Sequence, residues 1–148
     1  MIQKVLLEIF ERDLNKLRIE TNLYEDENKL WITDKNIKNS GGNLCLHIIG
    51  NLNQFIGGVL GNSGYVRNRD AEFTDKGFPK KELLKMIDET QTVVANTIES
   101  LSEDDLEKIY PVEVFNGQMT TGFFLVHLTT HLNYHLGQIN YHRRIIGC

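Results

Sequence analysis

Four of the five histidines in this chain of 148 residues fall within residues 121–144. His127, His131 and His135 are spaced four apart, and His142 follows seven further on. At about 100° per residue on a helix, steps of four and seven return to nearly the same face. All four imidazoles would then share one stripe, with Gln138 on it. Phe124, Leu128, Leu132, Ile139, Ile145 and Ile146 lie on or beside the same stripe, so it points inward. A lone histidine on an apolar face is usually an ordinary core residue. Four in register need more explanation, because each buried imidazole still requires hydrogen-bond partners. Two histidines at i and i+4 can present their nitrogens to one cation, as in zinc proteases. Those enzymes place a general-base glutamate inside the pair, whereas residues 132–134 here are Leu-Asn-Tyr. Protease chemistry of that kind is excluded. On spacing alone, His127–His131 and His131–His135 are equivalent as chelating pairs.

The elements that must position these groups are helical. Ile2, Val5, Leu6, Ile9, Phe10, Leu14 and Leu17 mark an amphipathic first helix over residues 2–20. Asp13 falls inside that stripe, either as an edge carboxylate reaching water or as an acceptor behind a metal-bound imidazole. Residues 21–42 read as a polar connection anchored by Trp31, with Ser40-Gly41-Gly42-Asn43 as turn and cap chemistry. A second helix is expected over residues 43–60, where Leu44, Ile48, Leu52, Phe55 and Val59 form the apolar face. His47, Asn51 and Gln54 run beside that face at i, i+4 and i+7.

Residues 61–80 form a loop longer than bundle connections usually are, which marks it as a rim or lid. Its Arg67 and Arg69 either pair with Asp70 and Glu72 or meet an anionic group of a substrate. A third helix over residues 80–101 carries Leu83, Ile87, Val94, Ile98 and Leu101, with Pro79 at its start. Ser102 with the acid three residues on resembles a capping box. Asn116-Gly117 favours a short β-hairpin in residues 111–120. Thr120 or Thr121 then caps the fourth helix. The fold class is therefore all-α, a four-helix bundle in a single domain over residues 1–148, with a possible hairpin before the last helix.

Composition narrows the function classes. Sixteen Lys and Arg against 20 Asp and Glu leave a net charge of −4, without the clustered basic excess of a nucleic-acid surface. Cys45 and Cys148 do not make a disulfide framework. No apolar run approaches the roughly 18 residues of a membrane span, and the N-terminus lacks a signal-peptide core. The expectation is a soluble, cytoplasmic protein that binds neither nucleic acid nor membrane. Within a bundle, His47 on the second helix and His131 with His135 on the fourth would supply three neutral nitrogens and leave coordination positions open, as catalytic zinc sites do. Imidazoles also suit nickel, copper and iron. The glutamates and Glu-x-x-His pairs of a di-iron bundle do not occur.

Two stretches, LCLHIIGNLNQFIGGVLGNSGYVRNRDAEF and HLTTHLNYHLGQINYHRRIIG, resemble the DinB-like superfamily, specifically its small bacterial branch, with His135-Leu-Gly-Gln138 after a histidine four residues earlier as the most specific piece. The resemblance spans nearly the whole chain. It implies a four-helix bundle of unusual connectivity, often homodimeric. It also implies a divalent metal, zinc or nickel, on one histidine of the second helix and a His-x-x-x-His pair of the fourth, which map onto His47, His131 and His135. Some relatives are thiol-dependent S-transferases that use the metal to activate a low-molecular-weight thiol. The expected function is group transfer to or from a small molecule. The alternatives are a non-catalytic metal-binding or stress-response bundle and a metal-dependent hydrolase. His127, Arg67, Arg69, Asn51 and Gln138 are then candidates to face the substrate or to support the ligands, and His142 is a core or dimer-surface residue.

Overall fold

The computed structural model describes residues 1–34 and 36–147; Cys148 lies outside the described residues. Four long helices build the bundle: α1 (Ile2–Asn22), α2 (Gly41–Leu52), α4 (Lys80–Glu99) and α6 (Thr121–His142). Two short helices, α3 (Arg69–Thr74) and α5 (Glu103–Glu107), lie in the connections. The first, third and last long helices fall where the apolar periodicity puts them. The second begins two residues earlier than expected, because Ser40 caps it by accepting a hydrogen bond from the Asn43 amide at 3.1 Å. It then continues as a π-turn over Asn53–Gly58, a widened winding that recurs near functional sites.

Packing partners fix the order round the bundle. α1 lies against α4 and α6, and α2 lies against the same two. Asp13 meets Asn133 and Glu20 meets Asn140, so α1 and α6 run parallel. Asn53 meets Thr90, and Gly57 and Gly61 lie beside Val93 and Thr97, so α2 and α4 are parallel as well. Gln3 reaches the carbonyls of Ile98 and Leu101, which makes the two pairs antiparallel. Successive long helices therefore run up, down, down, up. Between α2 and the parallel α4 the chain must travel back along the bundle, which is why the segment from Val59 to Pro79 is long. That return brings α3 past the middle of α2.

The core is the apolar stripe of each helix, including Leu6, Phe10, Leu14, Leu17, Ile48, Leu52, Leu83, Ile87, Val94, Ile98, Leu128 and Leu132, all essentially inaccessible. Each such side chain contributes about 1.5–3 kcal/mol by leaving water. Trp31 anchors the first connection as expected: its indole nitrogen donates to the Phe78 carbonyl at 3.3 Å. The ring also fills the space beside Gly42, where a Cβ would lie 2.7 Å from it. Ser102 and Asp105 complete the capping box at α5, and Thr120 is the residue that caps α6.

The hairpin shrinks to isolated antiparallel bridges, Ile109 with Thr120 and Phe115 with Gly117. The pairing that persists is outside the Asn-Gly turn, where the Tyr110 amide donates to the Met119 carbonyl at 2.9 Å and the Thr121 amide to Lys108 at 2.8 Å. Asp13 departs from both of its expected settings. It is 1% exposed and accepts hydrogen bonds from Arg12 at 2.8 Å and Asn133 at 3.2 Å. Among the described residues, no helix is long and apolar enough to cross a membrane.

Candidate metal centre

Antiparallel packing of α2 on α6 sets Phe55 beside Phe124 at one level and His47 opposite His131 and His135 at the next. The four-residue step on α6 stacks His131 and His135 one turn apart on the face toward α2. As a result Nε2 of His131 lies 3.2 Å from Nε2 of His47 and 3.1 Å from Nε2 of His135. One ligand atom from each of the three histidines lies within 4.8 Å of the others. His47 is buried, and His131 and His135 are half-buried.

The proton positions decide what this arrangement can do. Nδ1 of His47 faces the Glu72 carboxylate at 3.0 Å and the Arg67 Nη2 at 3.4 Å. The carboxylate is nearer and can only accept, while Arg67 already donates to it, so a neutral ring carries its proton on Nδ1 and turns a lone pair inward from Nε2. Nδ1 of His135 faces Oε1 of Gln138 at 2.7 Å, with the same consequence. At most one proton, on His131, can lie among three nitrogens that crowd together. Burial, followed by the nearby His135, His47, His127 and Arg67, pulls the His131 pKa down to about 4. Burial also lowers that of His135, against the opposing bond to Gln138. Neutral, deprotonated nitrogens are what a metal ligand requires.

The spacing fits a cation. Metal–nitrogen bonds of about 2.0–2.1 Å put neighbouring donors roughly 3.3–3.4 Å apart in a tetrahedron, and about 2.9 Å apart at right angles. The observed 3.1 and 3.2 Å lie between these. Three protein nitrogens leave at least one coordination position to another group.

Glu72 is the residue that sequence reasoning missed in this role. It lies on α3 and is 6% exposed. Arg67 clamps it from Nε to Oε2 at 2.8 Å and from Nη2 to Oε1 at 2.9 Å. Burial alone would raise the Glu72 pKa, but the bonds from His47 and Arg67 outweigh it and hold the carboxyl below its ordinary range. Two further contacts pack the group: Phe73 lies 4.9 Å from the His47 ring, and the Asn43 side chain donates to the Glu72 carbonyl at 3.0 Å.

The chain matches, over residues 9–147, a family described as proteins of unknown function, DUF1572. It belongs to that family. A comparison with curated proteins finds none that matches. In this DUF1572 protein the other residues singled out by sequence fall in distinct places. Arg67 spends its bonds on Glu72 and stacks over Phe55 at 5.7 Å, rather than reaching outward. Arg69 is exposed, with its guanidinium over Phe73 at 5.3 Å. His127 sits one turn before His131, against the rings of Phe115 and Phe124. Asn51 is 7% exposed, and its Oδ1 has no hydrogen-bond partner among the described residues. His142 lies away from the cluster, where it meets the Tyr24 hydroxyl at 2.5 Å and the Ile32 carbonyl at 2.7 Å. Cys45 is fully buried, and burial pushes its thiol up to about 12, so it remains a neutral packing group.

Proposed function

We propose that this protein is a divalent-metal-dependent enzyme in which His47, His131 and His135 hold zinc or nickel, and that it transfers a group between a small molecule and a low-molecular-weight thiol. The observation that carries the metal part is the convergence of three Nε2 atoms at 3.1 and 3.2 Å with two of the tautomers set from behind. The thiol part rests on the resemblance of residues 44–73 and 127–147 to the DinB-like superfamily. A bound divalent ion would supply Lewis acidity, lowering the pKa of a thiol or water brought to it. The chain's own contribution is orientation. Glu72 and Gln138 hold two imidazoles by their outer nitrogens, and the buried flank of α2 keeps water from His47. His127, one turn before His131 on α6, and the exposed Arg69 beside Phe73 are the side chains assigned to the substrate.

A hydrolase is the second reading, and Asn51 favours it. Its orphaned acceptor lies one turn beyond His47 on the same face of α2. A water molecule carries the O–H donor that Oδ1 lacks, whereas a thiolate does not. Turnover without any added thiol would select hydrolysis over transfer.

The deciding experiment is metal content by mass spectrometry on protein without a histidine tag. About one metal per chain in the wild type is expected, lost in His131→Ala and kept in His127→Ala. A metal-free wild type, even after incubation with zinc or nickel, would remove the enzyme reading.

A further inference from the structure

We infer that Glu72 is a positioning residue that acts on the metal centre through His47, with Arg67 fixing the carboxylate. This rests on the reading of His47, His131 and His135 as metal ligands. Three observations converge on it. First, the carboxylate is held at three points: Oε1 accepts from His47 Nδ1 at 3.0 Å and from Arg67 at 2.9 Å, and Oε2 accepts from Arg67 at 2.8 Å. A buried ion pair alone needs no third partner, and burial of charge on this scale costs free energy unless the remaining lone pairs are used. The lone pair in question is used on the outer nitrogen of His47, the one buried imidazole in the cluster.

Second, the segment is built to hold the group still. Asn68 caps α3 by accepting from the Ala71 amide at 3.2 Å. Asn43 on α2 donates to the Glu72 carbonyl at 3.0 Å and the Asp75 carbonyl at 2.8 Å, pinning the other end of that helix. Third, α2 makes room for it. Gly50 interrupts an otherwise bulky helix, and a Cβ there would stand 1.8 Å from Oε2 of Glu72.

The three ligands are thereby graded. His47 has a carboxylate behind it and His135 has the neutral carboxamide of Gln138. Behind a donor nitrogen, a carboxylate raises the ring's basicity and strengthens its bond to a cation. The same bond ties the crossover between α2 and α4 to the centre, so His47 keeps its tautomer only while that segment is docked.

The test uses cobalt(II) as probe on the full-length, tag-free protein, alongside NMR of the metal-free histidine nitrogens. Glu72→Gln removes the charge and keeps the size. The expected result is one cobalt per chain in both proteins, with affinity about 10- to 100-fold weaker in Glu72→Gln and shifted visible absorption bands. His47 in the metal-free wild type should read as protonated on Nδ1. Equal affinity and identical bands in the two proteins overturn the inference while leaving the metal reading intact, as does a His47 protonated on Nε2. A wild type that takes up no cobalt instead removes the metal reading, and this inference with it. If Glu72→Gln does not fold, Glu72→Asp withdraws the charge by one methylene, and wild-type binding by that variant overturns the inference equally.

Discussion

Gly50 on α2 and Glu72 on α3 occupy complementary space: a methyl group on the glycine would stand 1.8 Å from a carboxylate oxygen that is itself bonded to Arg67. Gly50→Ala therefore sets two effects against each other. Replacing a mid-helix glycine stabilises by about 1 kcal/mol through backbone propensity. Overpacking against a clamped, buried ion pair costs about 1–3 kcal/mol, and displacing Glu72 leaves His47 Nδ1 without its acceptor. The loss wins. Gly50→Ala should lower the urea midpoint and weaken metal uptake together, whereas a stabilised protein with unchanged uptake would mean the carboxylate can move aside freely.

The pH dependence of the metal-free protein follows from the histidines. His131 is pulled from its ordinary value of 6.5 to about 4 by burial and by neighbouring positive groups, and His142 is lowered by burial against its bond to Ile32. In both cases the unfolded chain takes up the proton first. Stability is then complete above about pH 6.5 and declines as the pH falls, for His131 down to about 4, below which its contribution is level. Chemical denaturation of metal-stripped protein between pH 7.5 and about 4 measures this slope. His131→Gln should make it shallower, leaving the part that His135 and His142 contribute, and a slope unchanged by that substitution would place the titration elsewhere.

The parts of this architecture written in local spacing are those a reader of the sequence finds first. Leu83, Ile87, Val94 and Ile98 repeat at helical intervals and are all buried, and Ser40, Ser102 and Thr120 announce their caps by residue type. Spacing shows that α6 carries chelating i, i+4 pairs but leaves His127–His131 and His131–His135 equal, and the resemblance chooses the pair that the structure sets against His47. Glu72 is not legible, because with Arg67, Arg69 and Asp70 it reads as a self-paired surface network. Its burial comes from the parallel arrangement of α2 and α4, which forces the crossover back along α2, and no local pattern encodes that. The available hint was Gly50, a lone glycine in an apolar helix with no turn to make. The four-histidine stripe likewise separates. His142 keeps its face of α6, but at its level the neighbour is the segment holding Tyr24 and Ile32 rather than His47.

That separation can be measured. Tyr24→Phe removes the hydroxyl bonded to His142 Nδ1 at 2.5 Å and leaves a buried ring nitrogen unpaired, which costs about 1–3 kcal/mol. The thermal midpoint should fall while metal content stays at the wild-type level. Loss of metal in Tyr24→Phe would join His142 to the centre after all.

Asn51 offers the opposite signature, a substitution that should stabilise. Its Oδ1 is buried and has no hydrogen-bond donor among the described residues, and natural folds seldom tolerate that without a reason. Asn51→Leu keeps the branching of the side chain and removes the unsatisfied group. In metal-free protein it should raise stability by about 1–3 kcal/mol, the desolvation cost of an unpaired acceptor. The comparison that matters adds zinc. If Asn51 exists to receive a proton-bearing ligand in the site, the stabilising effect shrinks in the loaded protein, where the wild-type acceptor gains its donor, and turnover falls with it. An equal gain with and without zinc would make the orphaned oxygen a packing defect, and the case for hydrolysis would lose the observation that supports it.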